Sequence, residues 1–219
     1  MHAVTFTKQL AAASANNISL SQSLAGAGKL LLNGSTAGVL DTQRRVLITS
    51  AGNDSGLTWT ITGTNDGGAA IKDSVAGGNI AAVASNLDFA SVTSIASSGA
   101  TAAAVTVGTN TVGSSPWAIY DDTIVGSQMS VYVQLISGSG NVSIEYTYTP
   151  FLGGPGIQSA IAYAPPNIVP TPVLHPQLQN LAATTEGAID FTIHAWRLTV
   201  NSGTGQWKAY GRQAGLASP

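Results

Sequence analysis

The residue types that most often carry enzymatic chemistry are few and scattered in this sequence. Three histidines occur, His2, His175 and His194. His175 lies in a proline-rich stretch, His194 lies two residues before Trp196 in an expected strand, and no G-x-S-x-G elbow is present. Because nucleophilic catalysis needs a hydroxyl beside a base, this spacing predicts no catalytic triad. We expect His194 to be a structural strand residue and His175 to be a packed loop residue.

The acidic residues are equally dispersed. Asp121-Asp122 is the only adjacent pair, and neighbours on an extended chain point in opposite directions, so turn chemistry is expected there. N53-D-S-G and N65-D-G-G do not match a calcium loop, and we interpret them as turns capped by their own Asx side chains. G-G-P-G at 153–156 lacks the lysine and helix of a phosphate loop. The sequence therefore predicts no enzyme, no catalytic residues, no cofactor and no metal site, although a metal shared at an interface remains an alternative.

Composition limits the class of protein further. The 219 residues are 44% hydrophobic but only 8% charged, against about 25% charged in an ordinary globular chain. Such a surface suits a chain that lives inside an assembly, and we expect a homo-oligomer. The net charge is -2 and Arg44-Arg45 is the only adjacent basic pair, which argues against nucleic-acid binding.

Cysteine is absent, so disulfides are excluded. Neither a secretory signal nor a membrane span is predicted, so we expect a soluble product made in the cytoplasm.

The stretch from Arg45 to Gly68 shows the pattern that the rest of the chain repeats. Val46 to Thr49 reads as one strand and Leu57 to Thr62 as the next. In the second strand Leu57, Trp59 and Ile61 alternate with three threonines, which gives one apolar face and one hydroxyl face. Turn signals recur every 8 to 12 residues, as in β-sandwiches and barrels. We predict an all-β protein built from sandwich-like or jelly-roll-like modules.

Breaks in this pattern predict the domain organisation. We expect an N-terminal arm over 1–29, a first β module over 30–112, a second over 113–212 and a tail over 213–219. The polar stretch 108–115 marks the boundary between the modules. Residues 8–24 show weak helical spacing at best.

A proline-rich loop interrupts the second module at 150–181. It contains seven of the nine prolines and almost no charge, so a central strand is excluded and an extended excursion is expected. Its apolar residues need a partner surface, either the body of the chain or a neighbouring subunit. The predicted interface residues are Phe151, Leu152, Ile157, Tyr163, Ile168, Val169 and Leu174.

The four tryptophans and an internal repeat are the remaining features of the sequence that bear on its fold. Trp59, Trp117, Trp196 and Trp207 are expected as core or interface anchors, with carbohydrate platforms as the alternative if they are exposed in a row. V133-Q-L-I-S-G-S-G-N-V matches L198-T-V-N-S-G-T-G-Q-W at a constant offset of 65. Both segments are interpreted as strand–turn–strand hairpins.

The segments V46-L-I-T-S-A-G-N-D-S-G-L-T-W-T-I-T-G-T, F89-A-S-V-T-S-I-A-S-S-G-A-T-A and W196-R-L-T-V-N-S-G-T-G-Q-W resemble a family of tailed-bacteriophage virion proteins. The similar regions span about residues 40–115 and 130–210. The resemblance implies a structural particle component with β-sandwich modules and no enzymatic activity.

From this resemblance and the low charge, we expect a capsid decoration or cement protein of the virion, bound to the major capsid protein or to other virion subunits. A tail or head–tail connector component is the first alternative. A glycan-binding adhesion module that uses exposed aromatic residues is the second.

Overall fold

The computed structural model describes residues 2–34, 38–66, 68–120, 125–149, 161–162 and 170–216. These residues form sixteen β-strands and no helix, which confirms the all-β prediction. The chain divides into two compact units, a first unit of Ala11–Gly113 and a second unit that combines Met1–Leu10 with Ser114–Pro219.

The first unit is one antiparallel sheet with the strand order β8-β4-β7-β5-β6, while β2 adds to β8 and β3 adds to β7. Its strands are β2 (Ser14–Gln22), β3 (Gly28–Lys29), β4 (Val39–Ser50), β5 (Thr58–Thr64), β6 (Ala70–Ala76), β7 (Ala82–Ser97) and β8 (Val105–Ser114). The first half of the long strand β7 pairs mainly with β4 and its second half pairs with β5. Strand β7 therefore joins β8 and β4 on one side of the sheet to β5 and β6 on the other.

Strand β5 shows the alternation that its sequence predicts. Trp59 and Ile61 are fully buried, whereas Thr58, Thr60 and Thr62 point outward. The buried pair joins apolar side chains of β4, β7 and β8 in one hydrophobic core. The outward threonines align with small residues on both neighbouring strands, since Thr60 lies opposite Ser74 of β6 and Ala96 of β7.

The second unit contains two antiparallel sheets. Its strands are β1 (His2–Lys8), β9 (Trp117–Ile119), β10 (Val125–Ser137), β11 (Gly140–Thr147), β12 (Ile161–Ala162), β13 (Val173–Leu174), β14 (Thr185–Ile189), β15 (Ala195–Gly203) and β16 (Gln206–Leu216). One sheet, called sheet I below, has the order β1-β16-β10-β14. The other, sheet II, has the order β12-β9-β15-β11-β13.

The two sheets of the second unit share one hydrophobic core. Phe6 and Val133 from sheet I pack with Ile144, Trp196 and other side chains of sheet II. The ring of Trp196 meets Phe6 edge-on, with 5.3 Å between ring centroids. The same ring lies against the backbone of Gly211 in β16, where any Cβ would overlap it. A sandwich of this kind is what the alternating apolar pattern predicts.

The two repeated S-G-[ST]-G segments are corners between the sheets rather than hairpins. β10 belongs to sheet I and β11 to sheet II, while β15 belongs to sheet II and β16 to sheet I. The ladders instead join the first strand of each repeat to the second strand of the other, so β10 pairs with β16 and β15 pairs with β11. The hairpin interpretation was wrong because turn composition shows where a chain reverses, not which strand it pairs with afterwards.

Glycines allow the two corners to pack backbone against backbone. Gly140 lies opposite Gly203, and the N–H of Gly205 donates to the carbonyl of Ser139 at 2.9 Å. Gly138 and Gly203 have φ values of 74° and 82°, which favour glycine. A Cβ at Gly203 would also collide with the carbonyl oxygen of Ser139.

The N-terminal residues agree with the sequence-based expectation in one segment and differ from it in another. Residues 2–7, interpreted as a possible short strand with Val4 and Phe6 on one face, lie in strand β1 of the second unit, whereas residues 14–22, expected to be irregular or weakly helical, form strand β2. The polar stretch 108–115, expected as the boundary between the modules, contains the division between the units after Gly113, but most of it is strand β8. Gly108 permits this pairing, because a Cβ there would overlap the backbone of Ser14 in β2. The polar composition of residues 108–115 did not predict strand β8, because hydroxyl and amide side chains are compatible with a paired strand.

Replacing Gly203 with alanine should destabilise the second unit. The change forces an L-residue into a left-handed conformation and against the carbonyl of Ser139, which should cost about 2 kcal/mol or more. Urea unfolding followed by tryptophan fluorescence measures the loss. Ser139→Ala, in the facing turn, leaves every backbone contact in place and should behave as wild type. Equal stability of the two variants would contradict the role given to the corner.

Replacing Trp196 with alanine should also destabilise the second unit, by about 3 to 5 kcal/mol, because it opens a cavity between the sheets. Tyr148→Ala is the matched control, since the side chain of Tyr148 is 58% exposed. Thermal unfolding by circular dichroism provides the measurement. A melting temperature of Trp196→Ala equal to that of the control would show that the indole does not hold the sheets together.

Candidate functional site

The outer face of sheet I carries an open groove. Its outward side chains come from the three adjacent strands β10, β14 and β16. In one row across these strands Tyr132 lies between Glu186 and Tyr210. In the next row Ser130 lies between Ala188 and Arg212. We call these six residues, Ser130, Tyr132, Glu186, Ala188, Tyr210 and Arg212, the outer groove.

The depression arises from the sizes of the side chains in the two rows. Ser130 and Ala188 are small and form its floor, while Tyr132, Tyr210 and Arg212 rise around them. Its volume is about 640 Å³. The face below is buried, since Val131 and Val133 alternate with Tyr132 and point into the core. The rigid sheet therefore fixes the backbone of every groove residue.

Two aromatic rings and several charges meet at this surface. The ring centroids of Tyr132 and Tyr210 are 6.0 Å apart and their planes are tilted by 41°. The ammonium of Lys208 lies 4.6 Å from the centroid of Tyr210. Glu186 and Arg212 are exposed at the sides of the groove. The arrangement offers hydrogen-bond donors, acceptors and apolar ring surface within one small area.

The outer groove was not predicted from the sequence. In residues 130–136, Val131, Val133 and Leu135 alternate with outward positions, and Tyr132 occupies one of these outward positions. An aromatic residue on the solvent face of an amphipathic strand is the signal that could have found it. Pairing of Tyr132 with Tyr210 depends on the register of β10 with β16, which is not visible in the sequence.

The four tryptophans lie in the cores rather than on the surface. Trp59 and Trp207 are fully buried, and Trp117 and Trp196 are nearly so. The guanidinium of Arg197 lies 4.6 Å from the centre of the Trp117 ring. An exposed row of tryptophans, the alternative considered from the sequence, is therefore not formed.

The predicted interface residues of the proline-rich loop fall mostly outside the described residues, namely Phe151, Leu152, Ile157, Tyr163, Ile168 and Val169. Leu174 is described and is 48% exposed. It pairs with Glu145 through strand β13, and Leu181 pairs with Val142. The described end of the loop thus runs along strand β11 of its own unit.

The asparagine–aspartate turns serve the fold. The side chain of Asn53 accepts hydrogen bonds from the backbone N–H and hydroxyl of Ser55, at 3.2 and 2.8 Å. Asn65 accepts from the N–H of Ala69 at 3.0 Å. Buried Asp54 accepts from the hydroxyl of Ser50 at 2.6 Å and from the N–H of Ala102 at 2.7 Å. These contacts confirm the interpretation of both segments as Asx-capped turns.

A buried ion pair holds the start of β4 in the first unit. Arg44 is almost fully buried, donates to Asp41 at 2.9 Å and also donates to the carbonyls of Ala11 and Asn110. Burial acts to raise the pKa of Asp41. Hydrogen bonds from Arg44 and from the N–H of Ala11 outweigh it, so that this pKa lies below its ordinary value. The basic pair Arg44-Arg45 thus acts within the fold, since Arg45 contacts Asp88 at 3.3 Å.

His175 joins the end of the proline-rich loop to sheet I. Its Nδ1 accepts from the N–H groups of Gln177 and Leu178, at 3.2 and 3.1 Å, so the proton lies on Nε2. That N–H donates to the carbonyl of Ala188 at 3.2 Å. The ring is buried and stacks on Phe191. It is the packed loop residue that the sequence predicts, whereas His194 lies just before β15 and not within it.

The described part of the chain contains no group of three or more His, Cys, Asp or Glu residues that could hold a metal ion. It also contains no helix long and apolar enough to cross a membrane. Asp121-Asp122 and Gly153 to Gly156 lie outside the described residues, so the predictions made for them stay predictions.

The fold and the outer groove define an all-β protein of two antiparallel units, with an exposed pair of tyrosines on sheet I of the second unit. No family model, curated protein or solved structure matches the chain. The resemblance to phage virion proteins therefore stays a prediction from the motifs alone.

Acid should weaken the second unit through His175. Burial lowers the pKa of His175 below its ordinary value, although the hydrogen bond to Ala188 and the charge of Asp190 oppose this shift. The unfolded chain therefore takes up the proton first. The stabilisation is complete above about pH 6.5 and decreases as the pH falls below that value.

Urea unfolding at pH 7.5 and at pH 5.5 measures this effect. His175→Asn retains an acceptor near Gln177 but cannot be protonated, so we expect it to lose less stability than wild type between the two pH values. Ala182→Asn, at an exposed loop position of the same unit, is the control and should lose as much as wild type. An equal loss in wild type and His175→Asn would contradict the assignment.

Proposed function

We propose that this chain is a structural protein of a tailed-phage virion, and that it decorates the capsid by binding across neighbouring capsid subunits. The resemblance of three sequence segments to tailed-bacteriophage virion proteins is the reason for proposing a phage particle. The observation that carries the proposal is the outward face of β5 and its neighbours. We call it the hydroxyl face, and it consists of Thr58, Thr60, Thr62, Lys72, Ser74, Ser94 and Ala96.

The hydroxyl face suits a permanent protein contact for two physical reasons. Lys72 is its only charged residue, so docking there leaves few charges to remove from water. Its remaining side chains are short and lose little rotamer freedom on burial, whereas a long charged side chain loses up to about 2 kcal/mol. The buried core beneath, formed by Trp59 and Ile61, keeps the face rigid before it meets a partner.

A tail or head–tail connector protein would use the same kind of surface, and symmetry distinguishes the two positions. A decoration protein occupies repeated sites over the capsid and is present in hundreds of copies. A connector forms one ring of about a dozen copies. Quantitative gels of virions purified from the source of this sequence measure the copy number. Absence of the chain from those virions would contradict both positions.

Thr60→Arg should prevent binding to the particle. The new guanidinium lies between Ser74 and Ala96 on the hydroxyl face, where a docked partner would have to bury it. We expect occupancy on particles that lack the endogenous protein to fall at least tenfold, by co-sedimentation, with an unchanged melting temperature.

Ala182→Arg is the matched control. It places the same charge at an exposed loop position of the second unit and should bind as wild type does. Full occupancy by Thr60→Arg would show that the hydroxyl face is not the docking surface.

A further inference from the structure

We infer that the outer groove binds a neutral saccharide, through an uncharged pyranose ring that packs on the tyrosine pair. This site goes beyond the proposed structural function, which needs no small ligand. It also lies in the second unit, whereas the hydroxyl face lies in the first. The two proposals can therefore fail separately.

The paired tyrosines supply the apolar part of the site. Tyr132 is 39% exposed, whereas Phe6 and Trp207 of the same sheet are in the core. Tyr132 and Tyr210 are direct neighbours across the ladder, so the register of β10 with β16 holds the two rings side by side. Their planes are tilted by 41°, which leaves no parallel slot for a flat aromatic ligand. The rings instead form a shallow cradle that suits the C–H face of a pyranose ring.

Lys208 supports the ring of Tyr210 from the side away from the groove floor. It precedes Tyr210 by two positions in β16, whereas Arg212, beside the floor residue Ser130, follows Tyr210 by two. The ammonium of Lys208 lies 4.6 Å from the ring centroid, a cation–π contact that restrains the ring. The groove lining does not include Lys208, so this charge acts on the ring rather than on a ligand.

The polar groups at the rim favour a ligand that carries hydroxyl groups and no net charge. Glu186 lies beyond Tyr132, on the opposite side from Tyr210, and its carboxylate oxygens accept hydrogen bonds from hydroxyl groups. An acidic sugar would bring a second carboxylate close to Glu186, where the two like charges repel. Arg212 already has an interaction of its own, and the inference needs no free charge there. A sugar hydroxyl both donates and accepts, so a neutral ring can bond to Glu186 and to the tyrosine hydroxyls together.

The size of the groove favours a small ligand over a protein partner. Its volume of about 640 Å³ lies within the range of about 300 to 1,000 Å³ that is usual for small-ligand sites. A protein–protein contact of ordinary size needs a broader surface, about 800 Å² on each partner. The floor over Ser130 and Ala188, with the tyrosine rings above it, therefore matches one or two sugar rings.

The test uses the whole chain and four neutral disaccharides, namely lactose, maltose, cellobiose and N,N′-diacetylchitobiose. 3′-Sialyllactose, which adds one carboxylated sugar to lactose, is the charged probe. Saturation-transfer NMR followed by calorimetric titration should show that at least one neutral disaccharide binds. 3′-Sialyllactose should bind no more tightly than lactose, because its carboxylate gains nothing beside Glu186.

Substitutions in the groove separate the rings from the polar rim. Tyr132→Ala and Tyr210→Ala should each weaken binding of that disaccharide about tenfold or more, since each removes one side of the cradle. Tyr132→Phe retains the ring face and should bind within about threefold of wild type. Glu186→Gln keeps one acceptor oxygen but loses the charge, and should weaken binding about threefold or more.

Tyr148→Ala is the control, because Tyr148 is an exposed tyrosine of the same unit that lies outside the groove. It should bind as wild type does, and all variants should melt at the wild-type temperature, since the groove side chains point away from the core. Failure of all four neutral disaccharides to bind would overturn the inference, as would binding that survives both tyrosine-to-alanine substitutions. Tighter binding of 3′-sialyllactose than of lactose would overturn the neutral class of ligand. If no probe binds and the tyrosine variants change the oligomeric state in sedimentation, the groove is instead a contact between copies of this chain.

Discussion

The close contact of two glycine corners is the constraint on which the second unit depends. Each corner carries the chain from one sheet to the other, and the two corners touch through their backbones at Gly140 and Gly203. This contact fixes the register of β11 with β15 on one side and of β10 with β16 on the other. The 65-residue repeat is therefore a repeat of corners, related by an approximate two-fold symmetry of strand pairing.

The same register determines what the unit presents to solvent. A period of two places Val131, Val133, Trp207 and Ala209 in the core, and hence Tyr132 and Tyr210 outside. A slip of one residue would bury the tyrosines and expose the valines. The aromatic pair and the packing of Trp196 on Gly211 are thus two outcomes of one alignment, one on each face of the same strands.

Local patterns in the sequence predicted local structure well and pairing poorly. The alternation in β5 predicted which side chains would be buried, and Asn53 and Asn65 cap their turns as expected, because both effects depend on near neighbours in the chain. The corners were misread as hairpins, and β2 was missed, because their partners lie far away in sequence. The outer groove needed three strands in register, so no single segment could reveal it. The interface role predicted for residues of the proline-rich loop, Leu174 included, stays a prediction.

The strand pairing also has a consequence for the order in which the chain can fold. Val4 of β1 pairs with Gly211 of β16, so β1 has no ladder partner until about 200 further residues have been made. At a synthesis rate of about 5 to 20 residues per second, that delay is roughly 10 to 40 seconds. The first unit lies wholly within this interval and can complete its own core meanwhile. Val4 and Phe6 stay without their core during the delay, which makes β1 the segment most dependent on rapid completion of the chain.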